Sequence, residues 1–292
     1  MLRFFSLLFC FAGVALANFD SNLRFGYGAN LGWTNFRAGG LSGSLLPNQN
    51  LAFLEGYAYL SNCGWIYLGD GSPNNEFSYS NQDMARDFGV NHVGGGRLEG
   101  FAYCANLGWM VFEQSVGKPM FDLITGELEG LVYSANCGWI NLGSDRLFIE
   151  QLSQGADSDS DGIPDFWENE QTILFGGVAE LSSLGAGDFD GDGKSDYEEY
   201  LADTNPFDQN SFLKILDFDV FSQEINLITI AWTSSEDRIY ELEFSPNLLV
   251  PFSPLPSFSP LVGSAETSTM SFNRQIEERE FYQVRAKLPL NE

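Results

Sequence analysis

The segment LEGFAYCANLGW, residues 98–109, recurs as LEGYAYLSNCGW at 54–65 and as LEGLVYSANCGW at 128–139. A shorter copy, YGANLGW, occupies residues 27–33. Trp33, Trp65, Trp109 and Trp139 are therefore 32, 44 and 30 residues apart, a repeat with one insertion. LEGxAY alternates and is rich in aromatic residues, as a half-buried strand is. Asn-x-Gly is turn chemistry, because both residues tolerate positive φ at low steric cost. The Trp and the apolar residues after it begin the next strand. Glycines in FGVNHVGGGRLEG (88–100) and FDLITGELEG (121–130) mark further reversals. Residues 18–150 are thus expected to form an all-β repeat domain with roughly three strands per unit. A trefoil, a propeller-like ring and an open stack all satisfy this pattern.

The repeated tryptophans admit two roles. They could be platforms on which sugars or other flat ligands stack, or the core residue each unit must bury, its N–H bonded nearby. A Trp at one place in every unit is what a packed repeat needs, so the core role is expected. Glu55, Glu99 and Glu129 also recur in register. Paired carboxylates can hydrolyse glycosides, but acids at equivalent positions are more simply a solvated ladder.

The most specific chemistry lies at residues 157–168, DSDSDGIPDFWE, and again at 188–199, DFDGDGKSDYEE. Both fit the twelve-residue calcium-loop template, with acids at positions 1, 3, 5 and 9, glycine at 6 and glutamate at 12. Alternate residues at 1, 3 and 5 point oxygens at a common centre, and position 7 adds a backbone carbonyl. The glutamate reaches back from a new helix. The expected ligands are Asp157, Asp159, Asp161, Ile163 (through its carbonyl), Asp165 and Glu168 in the first loop. In the second they are Asp188, Asp190, Asp192, Lys194 (again the carbonyl), Asp196 and Glu199. Five carboxylates crowded into one loop repel one another unless a cation is present. Hard oxygen donors favour Ca²⁺ over zinc or copper. An acidic solvated linker is the plainer alternative, and two complete matches 31 residues apart weigh against it.

Glycine-rich sequence precedes each loop, so no entering helix is expected. Pro164, at position 8, has no N–H for the short β-bridge of paired EF-hands. An exit helix is expected after each loop. The second would present Tyr197, Tyr200 and Leu201 on one face and stop before Pro206. These units, over about residues 155–208, resemble thrombospondin type 3 calcium repeats through DGIPDFWE and DYEEYLADTNP. They resemble dockerins less closely, because dockerin loops usually close on Asp where Glu168 and Glu199 stand. The resemblance implies an extracellular, structural calcium segment, taken here as residues 151–210.

Strands return in residues 211–292. INLITIAWT (225–233) is a buried strand, and Tyr240, Leu242 and Phe244 alternate with Glu241 and Glu243. Tyr282, Val284, Ala286 and Leu288 alternate with Gln283, Arg285 and Lys287. A β-sandwich is expected. The segments WTSSEDRIYELEFS and EREFYQVRAKL resemble fibronectin type III-like domains, and the aromatic repeat over about residues 25–145 resembles Asn-x-Gly-Trp repeats of exported bacterial surface proteins. The fold class expected for the whole chain is mainly β.

Composition restricts the function. The 292 residues carry 40 acids against 14 basic residues, a net charge of -26. Such a polyanion repels nucleic acid and anionic membranes, which are bound through clustered Lys and Arg. The single histidine, His92, excludes the usual His-rich zinc sites. Any catalysis of the Ser-His-Asp or Cys-His kind would have to run through it, and it sits among turn glycines. Residues 1–17 read as a secretory signal, with Arg3, an apolar run from Phe4 to Val14, and the Ala15-Leu16-Ala17 cleavage site. A lipoprotein signal ending at Cys10 is disfavoured by bulky Phe9. The uncharged stretch 244–265 carries five prolines, a poor membrane helix. Cys63, Cys104 and Cys137 remain after cleavage, allowing one disulfide at most, or three buried thiols.

The function these readings imply is that of a secreted or cell-surface calcium-binding protein of structural or adhesion type, without catalysis. Calcium would stiffen a spacer between two β domains. The alternatives are carbohydrate binding through the repeat aromatics and, behind it, glycoside hydrolysis. The partners expected are calcium and an extracellular polysaccharide or another surface protein.

Overall fold

The computed structural model describes residues 18–28, 32–35, 53–60, 62–75, 78–143, 147–152, 157–175, 184–185, 187–221, 226–256, 258–274 and 280–290. The expected signal, residues 1–17, lies outside them. The chain is mainly β, as its alternating patterns require.

In the first half the strands are β1 (Asn18–Gly28), β2 (Gly32–Asn35), β3 (Phe53–Leu54), β4 (Gly56–Leu60), β5 (Gly64–Gly69) and β6 (Val90–His92). They continue as β7 (Leu98–Cys104), β8 (Gly108–Phe112), β9 (Met120–Phe121), β10 (Leu128–Glu129), β11 (Leu131–Ser134), β12 (Gly138–Asn141) and β13 (Leu147–Gln151). Each copy of the repeat is one antiparallel hairpin: β1–β2, β4–β5, β7–β8 and β11–β12. Short antiparallel ladders then join the hairpins in sequence, β2 to β4, β5 to β7, β8 to β11, and β12 back to β1. The pairing circuit closes on itself, so the repeat forms an eight-stranded ring and abolishes most of its edges.

The interior follows the period-two alternation. Ala58, Ile66, Leu68, Ala102, Met110, Phe112, Val132 and Ile140 are all buried in one core. Alanines mix with larger aliphatics because the inside of an eight-stranded closure is only wide enough for side chains to fill. Cys63, Cys104 and Cys137 are not joined in a disulfide, and the last two are buried.

One end of the ring is sealed by the repeated Asn-x-Gly turns. Gly64, Gly108 and Gly138 take φ of 93°, 73° and 80°, which only glycine adopts cheaply. The asparagines do something else. Asn106 Nδ2 donates to the Cys63 carbonyl at 2.8 Å, and Asn136 Nδ2 to the Leu107 carbonyl at 2.7 Å. The third and fourth turns thus bond to the turn of the preceding unit, which gives the asparagine a role there.

The segment with the two acidic loops holds α1 (Asp165–Phe175) and α2 (Asp196–Ala202). The C-terminal part holds β14 (Ile215–Phe221), β15 (Asn226–Thr233), β16 (Ile239–Ser245), β17 (Ser253–Pro254), β18 (Leu261–Val262), β19 (Thr267–Arg274) and β20 (Phe281–Lys287). One sheet runs β14-β15-β19 and the other centres on β16, paired with β17, β18 and β20. Ile228, Ile230 and Trp232 of the first sheet form a core with Tyr240, Leu242 and Ala286 of the second. The alternating charges expected on the last strand meet those of β16, since Glu241 lies opposite Arg285 in the ladder. Lys287 pairs with Glu241 at 2.7 Å and Arg285 with Glu243 at 3.5 Å. Among the described residues, no helix is long and apolar enough to cross a membrane.

Candidate metal centre and aromatic belt

Both acidic loops adopt the same internal geometry. Asp157 Oδ1 accepts from Ser160 N at 2.7 Å and Oδ2 from Gly162 N at 3.1 Å. Asp188 repeats this with Gly191 N at 2.7 Å and Gly193 N at 2.9 Å. At position 5, Asp161 accepts from Ile163 N at 2.8 Å and Asp192 from Lys194 N at 2.7 Å. The loop backbone is therefore wrapped around its own aspartates, and Gly162 and Gly193 make the sharp bend at φ of 96° and 94°. The carboxylates of Asp157, Asp159 and Asp161 can bring oxygens within 4.8 Å of one another, as can those of Asp188, Asp190 and Asp192.

Position 12 carries the decisive detail. Glu168 is 1% exposed, and neither of its carboxylate oxygens has a hydrogen-bond partner among the described residues. Burial first, and then the charges of Asp161, Asp159, Asp165 and Asp157, push it up to about 8. Glu199, equally buried, receives one bond from Thr204 Oγ1 at 3.2 Å and leaves Oε2 unpaired. Burial pushes it up to about 8 as well, helped by Asp190, Asp192 and Asp196. A buried carboxyl without partners is costly, and each of these is surrounded by the acids of its own loop. One free oxygen of Asp161, Asp190 and Asp192 is orphaned too. A hard divalent cation at each centre would satisfy all of these atoms at once, and the donor set fits Ca²⁺.

Position 9 is used differently. Asp165 accepts from Ser158 N and Oγ at 2.7 and 2.5 Å, and Asp196 from Phe189 N and Gly185 N at 2.9 and 3.0 Å. Both acids brace the loop, consistent with a position that often reaches the ion through water. Ile163 and Lys194 occupy position 7, where the carbonyl is the donor.

The exit helices begin at position 9 of each loop. In α2, Ser195 and Glu198 form a reciprocal capping box, and Asp203 closes the helix in the left-handed region at φ 60°. Tyr200 is buried as expected, whereas Tyr197 stands 40% exposed beside Gly162 of the first loop. The two units share a small core of Ile163, Trp167, Leu184 and Tyr200, completed by Leu288 of the C-terminal part. Arg238 donates to the Tyr200 carbonyl at 2.9 Å and pairs with Asp203 at 3.3 Å. The loop segment is therefore packed on the sandwich rather than strung between domains.

The repeated tryptophans contradict the core expectation. Trp33, Trp65 and Trp139 are 46%, 47% and 41% exposed, and Trp109 is half-buried. Alternation explains this: Ile66, Met110 and Ile140, each next in sequence, take the inward positions. Every Trp lies directly across its hairpin from a Tyr, in the pairs Tyr27–Trp33, Tyr59–Trp65, Tyr103–Trp109 and Tyr133–Trp139. Their ring centroids are 5.1, 5.0, 5.0 and 5.0 Å apart and the rings are steeply inclined. The result is an outward belt of aromatic pairs. Glu99 and Glu129 also face solvent.

His92 ends β6 rather than lying in a loop. Its Nε2 accepts from Gly96 N at 2.9 Å and lies 3.7 Å from Asp237 of the C-terminal part. Asp237 also accepts from Gly95 N at 2.7 Å, and Arg97 pairs with Glu236 at 2.7 Å. This places His92 in a polar latch between ring and sandwich.

No family model, no curated protein and no solved structure matches this chain.

Proposed function

We propose that the chain is a secreted or cell-surface, non-catalytic protein of structural or adhesion type, in which calcium keeps residues 157–208 folded against the C-terminal β domain. The observation that supports this most is the pair of buried glutamates, Glu168 and Glu199, set at the same position of two loops with unpaired oxygens among aspartates. Extracellular sites of this type often bind at ~10⁻⁴–10⁻³ M. That range suits a constant structural role in a calcium-rich exterior better than a switch. A second reading, carbohydrate binding by the repeat, gains from the exposure of Tyr57, Trp65 and Tyr103.

Calorimetric titration of calcium into chelated chain 18–292 tests the calcium reading. Two sites are expected, one lost with Asp157→Ala and the other with Asp188→Ala. No binding heat together with an unchanged melting temperature would sink it.

A further inference from the structure

The belt is not the same all round the ring. Between the second and third hairpins the chain carries the insertion that stretches one repeat interval to 44 residues. Phe88, from this insertion, lies 5.2 Å from the Tyr67 ring and 4.7 Å from the Trp109 ring. Tyr67 in turn contacts Tyr57 at 5.3 Å, and Tyr57 contacts Trp65 at 6.3 Å. Phe101 extends the run beyond Trp109 at 6.3 Å. The aromatic residues of two hairpins are thereby fused into one strip, from Tyr59 and Trp65 to Phe101 and Tyr103.

Phe101 also lines a surface cleft of about 560 Å³ built by the insertion and the β7–β8 hairpin. Its walls are held in place before any ligand arrives. Asn81 accepts from Gly89 N at 3.1 Å, Asn91 exchanges two bonds with the Tyr79 backbone, and Gln114 donates to the Leu98 and Pro119 carbonyls. The residues lining the cleft include two acids, Glu99 and Glu113, and neither Lys nor Arg. The outward positions of β4, β5, β7 and β8 likewise carry no cation.

We infer that this strip and cleft bind a neutral polysaccharide. The chemistry selects that occupant. Flat faces with polar tips, Tyr and Trp above all, suit sugar rings that are apolar on one face and hydroxylated at the rim. The Glu99 carboxylate can accept hydroxyl hydrogen bonds, that of Glu113 is taken up by the backbone N–H groups of Ser115, Val116 and Gly117, and the two charges repel acidic glycans, nucleic acids and anionic lipid. Val111 is the one aliphatic among the outward positions of these four strands, whereas a protein-docking patch draws on Leu, Met and Arg. An aromatic surface of this extent on a protein is expected to have a partner. The inference goes beyond calcium and does not depend on it, since strip and cleft are built from residues 57–115, outside both acidic loops.

The test is affinity electrophoresis and calorimetry of chain 18–292 with calcium present, against dextran, galactomannan, xyloglucan and mixed-linkage β-glucan, with alginate as the acidic control. Binding to at least one neutral polymer and none to alginate is expected. Trp109→Ala and Phe88→Ala should each weaken it at least tenfold with the melting temperature and the calcium heat unchanged. Phe88 lies outside the ring core, so its variant keeps the test open if Trp109→Ala unfolds. Trp139→Ala removes the same kind of residue from the hairpin without the cleft and should leave affinity unchanged. Failure to bind any neutral polymer, equal loss in Trp139→Ala, or a changed oligomeric state in Trp109→Ala without polymer binding would overturn the inference.

Discussion

The ring and the loop segment are both built by repetition, yet they are held together by opposite means. The ring closes an apolar core of more than a dozen buried side chains, and two of its turns bond to the turn before them. The loop segment contributes four buried residues to a core that Leu288 completes, and concentrates carboxylates whose repulsion opposes folding. What the difference teaches is that a repeat becomes self-sufficient only when its units bury surface against one another. Two loops that share only a few buried side chains around clustered carboxylates bury too little to do so.

The largest effect should come from breaking the ring core. Leu98 is fully buried, and Leu98→Ala should cost ~2–5 kcal/mol by lost transfer energy and cavity formation. Thermal unfolding of the ring transition would show it, with calcium heat retained. If that substitution abolished calcium binding as well, the two regions would not be independent. Chelation comes next. With free calcium at ten times the dissociation constant, each site contributes ~1.4 kcal/mol by mass action. Removing it with EGTA should speed proteolysis within residues 155–208 and leave ring and sandwich resistant. Equal cleavage rates with and without calcium would contradict the structural role of the ion.

A smaller effect is expected at the turn seam. Asn136→Ala deletes one bond to the Leu107 carbonyl and should cost ~1 kcal/mol, with Asn136→Asp failing to restore it because the donor is gone. Equilibrium urea unfolding resolves that difference. The smallest effect concerns pH. Burial holds the His92 imidazole below its ordinary value, with Asp237 and Glu236 pulling it up and Arg97 pulling it down. The folded chain therefore binds fewer protons there than the unfolded chain, and this contribution to stability falls as pH drops through ~6.5. Comparing melting temperatures of the wild type and His92→Gln between pH 7.5 and 5.5 should show a shallower fall in the variant. A parallel pair of curves would remove His92 as the cause.

Much of the candidate metal centre was legible in order, because its ligands are local. The positions of Asp157, Asp159, Asp161 and Glu168 can be read from spacing, since a twelve-residue loop carries its own geometry. The bracing role of Asp165 and Asp196 was not, because it depends on where the backbone N–H groups of Ser158, Phe189 and Gly185 arrive. The packing of the loops against Leu288 and Arg238 was equally out of reach, since those residues are distant in the chain.

The aromatic strip shows the same limit more sharply. Phe88 carried no signal in the insertion, and only the fold brings it between Tyr67 and Trp109. By itself the sequence determined the hairpins, their turns, the helix starts and the two acidic loops, because each depends on residues within a dozen positions. Tertiary structure alone decided that the ring closes and that its repeated tryptophans face outward. Closure is set by ladders between hairpins far apart in sequence. The narrow interior then admits Ala58, Ala102, Ile66 and Ile140 and sends each neighbouring aromatic residue to the other face.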